Sequence, residues 1–216
     1  MKRKIGIGIL VLTLCISSFS LAFADINYDE WNSQSVYPKD VVNTQYFTSV
    51  KALTDKKVIT GDTTGLYYPE KSITRAEFSV MMAKATYHVS DLTAMANLNV
   101  FNDLTGYTWA KPYINAIYQA GIIKGVGNSN FAPGNNVSYV EVIAMIMRSK
   151  NMTTEIDAYG TWPDNYIFYS QLYNMTGQVT VTDWNAPATK GDVALIMYRN
   201  MGSLKPASTT TSAALR

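Results

Sequence analysis

The chain repeats itself at an offset of 64 residues, and this constrains its fold more than any single motif does. Gly61 follows Val58-Ile59-Thr60, and Gly125 follows Ile122-Ile123-Lys124. The same offset pairs Tyr67 with Phe131, Pro69 with Pro133, Thr74 with Ser138 and Glu77 with Glu141. Earlier in the unit it pairs Val50, Ala52 and Leu53 with Ile114, Ala116 and Ile117. Self-similarity of this kind marks a chain built from copies of one supersecondary unit, none of which can bury its apolar face alone.

The unit has a legible helix start. Ile73-Thr74-Arg75-Ala76-Glu77 recurs as Val137-Ser138-Tyr139-Val140-Glu141 and again as Ala188-Thr189-Lys190-Gly191-Asp192. Each has a hydroxyl residue, an acid three positions later and then a hydrophobic run, which is the capping box. These segments predict second helices beginning at Thr74, Ser138 and Thr189. First helices are predicted over residues 44–56 and 109–120, where Tyr46, Phe47, Val50 and Leu53, or Tyr113, Ile114 and Ile117, form one stripe. Turn-forming loops at 61–65 and 125–130 link the two helices of a unit. Gly61 and Gly125 are expected to supply positive φ there.

The third copy is worn. Trp162-Pro163-Asp164 is similar to Phe101-Asn102-Asp103, residues 167–175 read as a first helix, and Gly177 matches Gly121. No glycine matches Gly125, and Trp184 and Pro187 stand for the aromatic and the proline at a tighter spacing. The expected fold class is therefore all-α: three helix-loop-helix repeats in a pseudo-threefold bundle. The repeats span 36–89, 100–152 and 153–202, with an insertion at 90–99 that reads as helical and partly packed.

The ends read differently. Lys2, Arg3 and Lys4 precede a short apolar run and Ala22-Phe23-Ala24, which predicts a secretory signal over residues 1–24 with cleavage before Asp25. Cys15, the single cysteine, falls within it, preceded by Leu14 where a lipid attachment site needs a small residue. The mature chain then has no disulfide, and its stability comes from apolar burial. Residues 25–35 form a leader, and 203–216 a Ser/Thr/Ala tail without periodicity.

Charge and composition exclude several functions. Losing the three basic residues of the signal takes the formal charge from +2 to −1, so no basic patch of the kind nucleic acid demands is left. His88 is the single histidine and has no acid or cysteine cluster beside it, so neither a metal site nor a Ser/His/Asp arrangement has anything to build on. No cofactor, metal or catalytic residue is expected, nor membrane insertion of the mature chain. Glu77, Glu141 and Asp192 read as helix caps because capping explains their spacing. The 15 Tyr and 4 Trp suit sugar recognition, with interior packing as the alternative for most of them.

Gly121-Ile122-Ile123-Lys124-Gly125, Phe131-Ala132-Pro133 and Ile73-Thr74-Arg75-Ala76-Glu77, preceded by an aromatic-x-Asp opening, resemble the S-layer homology family over nearly the whole mature chain. The resemblance implies a non-catalytic envelope protein of the bacterial cell surface. It would bind wall polysaccharide, often pyruvylated, non-covalently in grooves between repeats. It also implies ligand contact by Arg75, by Lys190 at the same position of the third copy, by the opening acids Asp103 and Asp164, by Trp109, and by backbone at Gly61 and Gly125. Tyr139 breaks the pattern in the second copy, leaving at most two anion-binding grooves. Each residue also has a plainer reading. Arg75 can pair with a neighbouring acid, the two Asp can cap turns, and Trp109 can wedge between repeats. The alternative function is a worn module kept for protein–protein contacts in the envelope.

Overall fold

The computed structural model describes residues 37–86 and 89–201. The expected export signal with Cys15, the expected leader, His88 and the expected tail lie outside the described residues. Among those described there are seven α-helices and no β-strand, as the repeat pattern implied. They are α1 (Phe47–Asp55), α2 (Arg75–Thr86), α3 (Lys111–Gln119), α4 (Tyr139–Ser149), α5 (Thr153–Ala158), α6 (Asp164–Leu172) and α7 (Lys190–Met201). Short 3-10 segments run over Lys39–Val41 and Val89–Asn97, the latter covering most of the insertion.

The second helices α2, α4 and α7 start where the capping residues put them. Ser138 accepts from the Glu141 N–H while the Glu141 carboxylate accepts from the Ser138 N–H. Thr74 and Glu77 make the same reciprocal pair. In the third copy the Asp192 N–H donates to Thr189 Oγ1, and the Asp192 carboxylate accepts from the Tyr139 hydroxyl. Aspartate is one methylene shorter than the glutamate of the other two boxes.

A closed ring of backbone hydrogen bonds joins the copies. The Ile73 N–H donates to the Ala188 carbonyl at 3.1 Å, the Ala188 N–H to Val137 at 2.9 Å, and the Val137 N–H to Ile73 at 3.0 Å. These three residues are buried where the three helix starts meet. A second ring surrounds the first. Arg75 and Ala76 donate their N–H groups to the carbonyls of Asn135 and Pro133, Tyr139 and Val140 to Ala186 and Trp184, and Lys190 and Gly191 to Lys71 and Pro69. The first helical N–H groups have no partner within their own helix. Here the loop of another repeat satisfies them, so each repeat completes its neighbour.

Helix packing follows the same cycle. Second helix α2 packs on α3, α4 on α6, and α7 on α1, so each second helix pairs with the first helix of the next repeat. The second helices also meet one another, α4 touching both α2 and α7. In α4, Val140 and residues 142–147 are all buried, because this helix is surrounded. The interface between α7 and α1 depends on Gly191. A Cβ there would lie 2.6–2.9 Å from ring carbons of the buried Tyr46, whereas Ala76 and Val140 hold the equivalent place in the other copies. Gly191→Ala is expected to lower stability by about 1–3 kcal/mol despite alanine's better helix propensity, because the ring must shift. Urea unfolding measures this. Restoration by Tyr46→Phe would implicate the hydroxyl rather than the ring and count against this reading.

Candidate functional site

Two equivalent grooves open between repeats. Groove A, about 420 Å³, is lined by Ile59, Glu77, Met81, Lys84, Trp109 and Lys190 among others. Groove B, about 310 Å³, is lined by the matching Ile123, Glu141, Met145, Arg148, Trp162 and Arg75. Each groove therefore draws on three repeats. The cation at a helix start comes from one, the acid and methionine from the next, and the tryptophan from the third. This follows directly from the cyclic pairing of helices.

The helix-start cations are latched to the acids of the next repeat. Arg75 Nη1 bonds Glu141 Oε1 at 2.5 Å, and Lys190 Nζ bonds Glu77 Oε1 at 2.9 Å. The Tyr139 hydroxyl donates to Asp192 in the third such pair. Glu77 and Glu141 thus each cap their own helix and accept from a neighbouring repeat, whereas the Asp192 carboxylate accepts from Tyr139. Arg75 is more deeply engaged than its plainer reading as a surface ion pair allowed. It is 8% exposed, its Nε donates to the Phe131 carbonyl at 3.0 Å, and its Nη2 donates to the Lys124 carbonyl at 3.3 Å. Its guanidinium also lies over the Phe131 ring. Burial pulls the Arg75 pKa down, opposed by Glu141 and Asp103, but an arginine remains charged throughout the physiological range.

Tyr139 is pushed up to about 12 by burial and by its bond to Asp192, so this position is a neutral phenol. Burial alone would raise Glu77, yet the Thr74 N–H and the Lys190 ammonium together hold it below the usual glutamate value. A depressed carboxylate adds stability above its unfolded value, and that stability is lost as pH falls through the folded one. The midpoint of unfolding is therefore expected to drop on acidification below about pH 4.5. The drop should be shallower in Lys190→Gln, as thermal scans between about pH 3 and 7 would reveal.

The opening acids do different work from one another. Asp103 Oδ1 accepts from the Phe131 N–H at 2.9 Å and Oδ2 from the Ala132 N–H at 2.7 Å. Asp40 clamps Tyr67 and Tyr68 in the same way. Tyr68 and Ala132 both have φ of 58°, so each clamp holds a loop residue in the left-handed region. Asp164 is not the counterpart of Asp103. It is the exposed first residue of α6, level with Lys111 at the start of α3, and α5 occupies the stretch where an opening acid would fall.

The glycine expectations are corrected as well. Positive φ belongs to Gly65, Gly127, Asn128 and Ser129, and to neither Gly61 nor Gly125. A Cβ on Gly125 would lie 2.7 Å from both the Asn130 carbonyl oxygen and the Phe101 ring, whereas on Gly61 it meets nothing nearer than 3.9 Å. Close approach, not φ, requires glycine at 125. Gly125→Ala is expected to cost about 1–3 kcal/mol, and Gly61→Ala to stay within about 1 kcal/mol of the parent. Parallel urea titrations would expose any equality between them. The residue matching Gly121 is Asn174, which ends its helix with φ of 48°, rather than Gly177.

Trp109 and Trp162 stand at the same place, two residues before a first helix, and are 50% and 49% exposed. Lys84 and Arg148 also match, each ten residues past its cap and lying over the ring of Tyr113 or Tyr166. Lys84 and Arg148 escaped the sequence reading, which pairs Trp162 with Phe101 rather than with Trp109. A basic residue ten positions after each cap, with Arg199 as the third, was the available signal. The corresponding third groove has Gln45 and Ser49 in place of the Trp and the Tyr, and Arg199 there donates to the Asn174 carbonyl. Among the described residues no cluster of His, Cys, Asp and Glu could hold a metal ion, and no helix is long and apolar enough to cross a membrane.

The model of the S-layer homology domain matches residues 39–79 and 100–143, the first two of these repeats. The chain belongs to the S-layer homology family. It is 27% identical over 191 residues to the middle cell wall protein of Brevibacillus brevis, covering 88% of this chain and 17% of that protein. It is 34% identical over 142 residues to an endoglucanase of a Bacillus species, covering 65% and 14%. An S-layer protein of Bacillus thuringiensis subsp. finitimus is 28% identical over 142 residues, covering 66% and 15%. The chain thus spans less than a fifth of the length of these relatives. Family membership gives it a setting at the bacterial cell surface and wall.

Proposed function

We propose that this S-layer homology module anchors its chain to the bacterial cell wall by binding wall polysaccharide, without covalent chemistry, in grooves A and B. The observation that carries the reading is the pair of half-exposed tryptophans at matching places, each lining a groove together with basic side chains and a methionine. An indole face stacks on a pyranose ring while the surrounding polar groups take the hydroxyls. A buried residue could not do this, and a lone exposed one would carry no argument. The third groove has lost the Trp and the Tyr at these positions, and Tyr198 is the aromatic that lines it instead.

Each of the two grooves is lined by three basic side chains and two carboxylates, an excess of one positive charge that suits an acidic polymer such as a pyruvylated one. Titrating solubilised wall polysaccharide into the protein should change its tryptophan fluorescence. Trp109→Ala with Trp162→Ala should weaken binding by about 2 kcal/mol or more, as truncation of a central aromatic contact does. Undiminished binding by the folded double variant would refute the groove assignment.

A second reading has its own observation. Phe168 and Leu172 are exposed on α6. The matching positions carry the Lys51–Asp55 ion pair on α1, and on α3 they are Gln119 and Asn115, which bonds carbonyls of Met95 and Leu98. Contact with an envelope protein would use this face rather than the grooves. Loss of wall binding in Phe168→Ser with Leu172→Ser, while both tryptophan variants bind normally, would favour it.

A further inference from the structure

Resting on the polysaccharide reading, we infer that Arg148 in groove B, with Lys84 as its weaker counterpart in groove A, is the group that meets a carboxylate of the bound polymer. Arg75, the arginine of the helix-start motif, is instead the latch that holds the repeats together. All three guanidinium nitrogens of Arg75 already have partners, namely Glu141 and the carbonyls of Phe131 and Lys124. It is buried, and its charge is met by a carboxylate. A ligand could take over those three donors only by breaking bonds that join two repeats, and just two of the five N–H groups are left over.

Arg148 is in the opposite condition. It takes part in none of the three ion pairs found among the described residues. Its Nε is buried without a hydrogen-bond partner, which is costly unless something else completes it. Its guanidinium lies 5.9 Å from the centre of the Trp162 ring and 5.2 Å from that of Tyr166, so the two rings hold the fork beside the sugar platform. An arginine fork accepts both oxygens of a planar carboxylate, which an ammonium cannot copy. Lys84 lies over the Tyr113 ring in the same way, charged but without the fork. Groove B is therefore the more selective of the two for a carboxylated sugar. Arg199, at the same register, is tied to the Asn174 carbonyl in a groove that lacks the Trp and Tyr of the other two, and is the natural control.

The test uses the full chain and solubilised wall polysaccharide in two forms, native and with its carboxyls amidated so that phosphates remain. Wild type should bind the native form and lose about tenfold or more on the amidated form, the loss expected when a charged hydrogen bond goes unmade. Arg148→Gln should lose about as much on the native form, be indifferent to amidation at groove B, and keep its melting temperature. Arg148→Lys should fall between, and Arg199→Gln should bind like wild type. If Arg148→Gln is too unstable to purify, Arg148→Lys alone decides, since full affinity there removes the need for a fork. Wild-type affinity in Arg148→Gln, or equal binding of both polymer forms by wild type, overturns the inference while leaving polysaccharide binding standing. If wild type binds neither form, the polysaccharide reading itself fails.

Discussion

Replacing Arg75 with alanine is expected to destabilise the fold by about 3 kcal/mol, the low end of what breaking a buried ion pair costs. The low end applies because Glu141 keeps some solvent contact, with 31% of its side chain exposed. The substitution removes a bond between two repeats, leaves two loop carbonyls without their donor and takes the guanidinium from the Phe131 ring. In a domain of this size a loss of that order lowers the melting temperature by roughly 6–12 °C. Arg75→Lys should recover the charge but not the three-way fork, and so only part of the stability. A melting temperature within 2 °C of wild type, about 0.5–1 kcal/mol, would show that Arg75 is not a latch. The expectation also bears on function. A wall-binding defect in Arg75→Ala would not by itself identify a ligand contact, because the groove is built from the repeats that this residue joins.

The second large effect is expected at Asp103. Its carboxylate holds the N–H groups of Phe131 and Ala132, the latter in the left-handed region. Losing two hydrogen bonds to a charged group, with a buried loop relaxing behind them, should cost about 2–4 kcal/mol in Asp103→Ala. Asp103→Asn retains one acceptor and should cost less. Asp164→Ala provides the contrast, since an exposed acid at a helix start contributes only about 0.3–1 kcal/mol through the helix dipole. Urea denaturation of the three variants would separate them. Equal losses at 103 and 164 would mean that the two acids are structural equivalents after all.

That contrast shows what the sequence made legible. The capping boxes could be read because a hydroxyl and an acid three residues apart have one common geometric use, and the structure starts α2, α4 and α7 at those residues. The duplicated first two copies could be read because one offset serves the whole unit. The third copy misled because its offset is not constant. Trp162 matches Trp109 at a spacing of 53, while Thr189 matches Ser138 at 51, so Trp162-Pro163-Asp164 aligned with the wrong aromatic and the wrong acid. The glycines misled for another reason. Positive φ and close approach both select glycine, and the positions of Phe101 and the Asn130 carbonyl tell them apart at Gly125. Helix periodicity likewise tells which face is buried but not against what. The pairing of each second helix with the next repeat, and hence the meeting of Arg75 with Glu141, was beyond it.

Anchoring through the grooves is decided by sedimentation of the purified chain with bacterial wall sacculi, before and after the polysaccharide is stripped from them. The chain should pellet with intact sacculi and remain in the supernatant with stripped ones. Pelleting equally with both, or with neither, would contradict polysaccharide binding and leave the exposed face of α6 as the better candidate for what this module recognises.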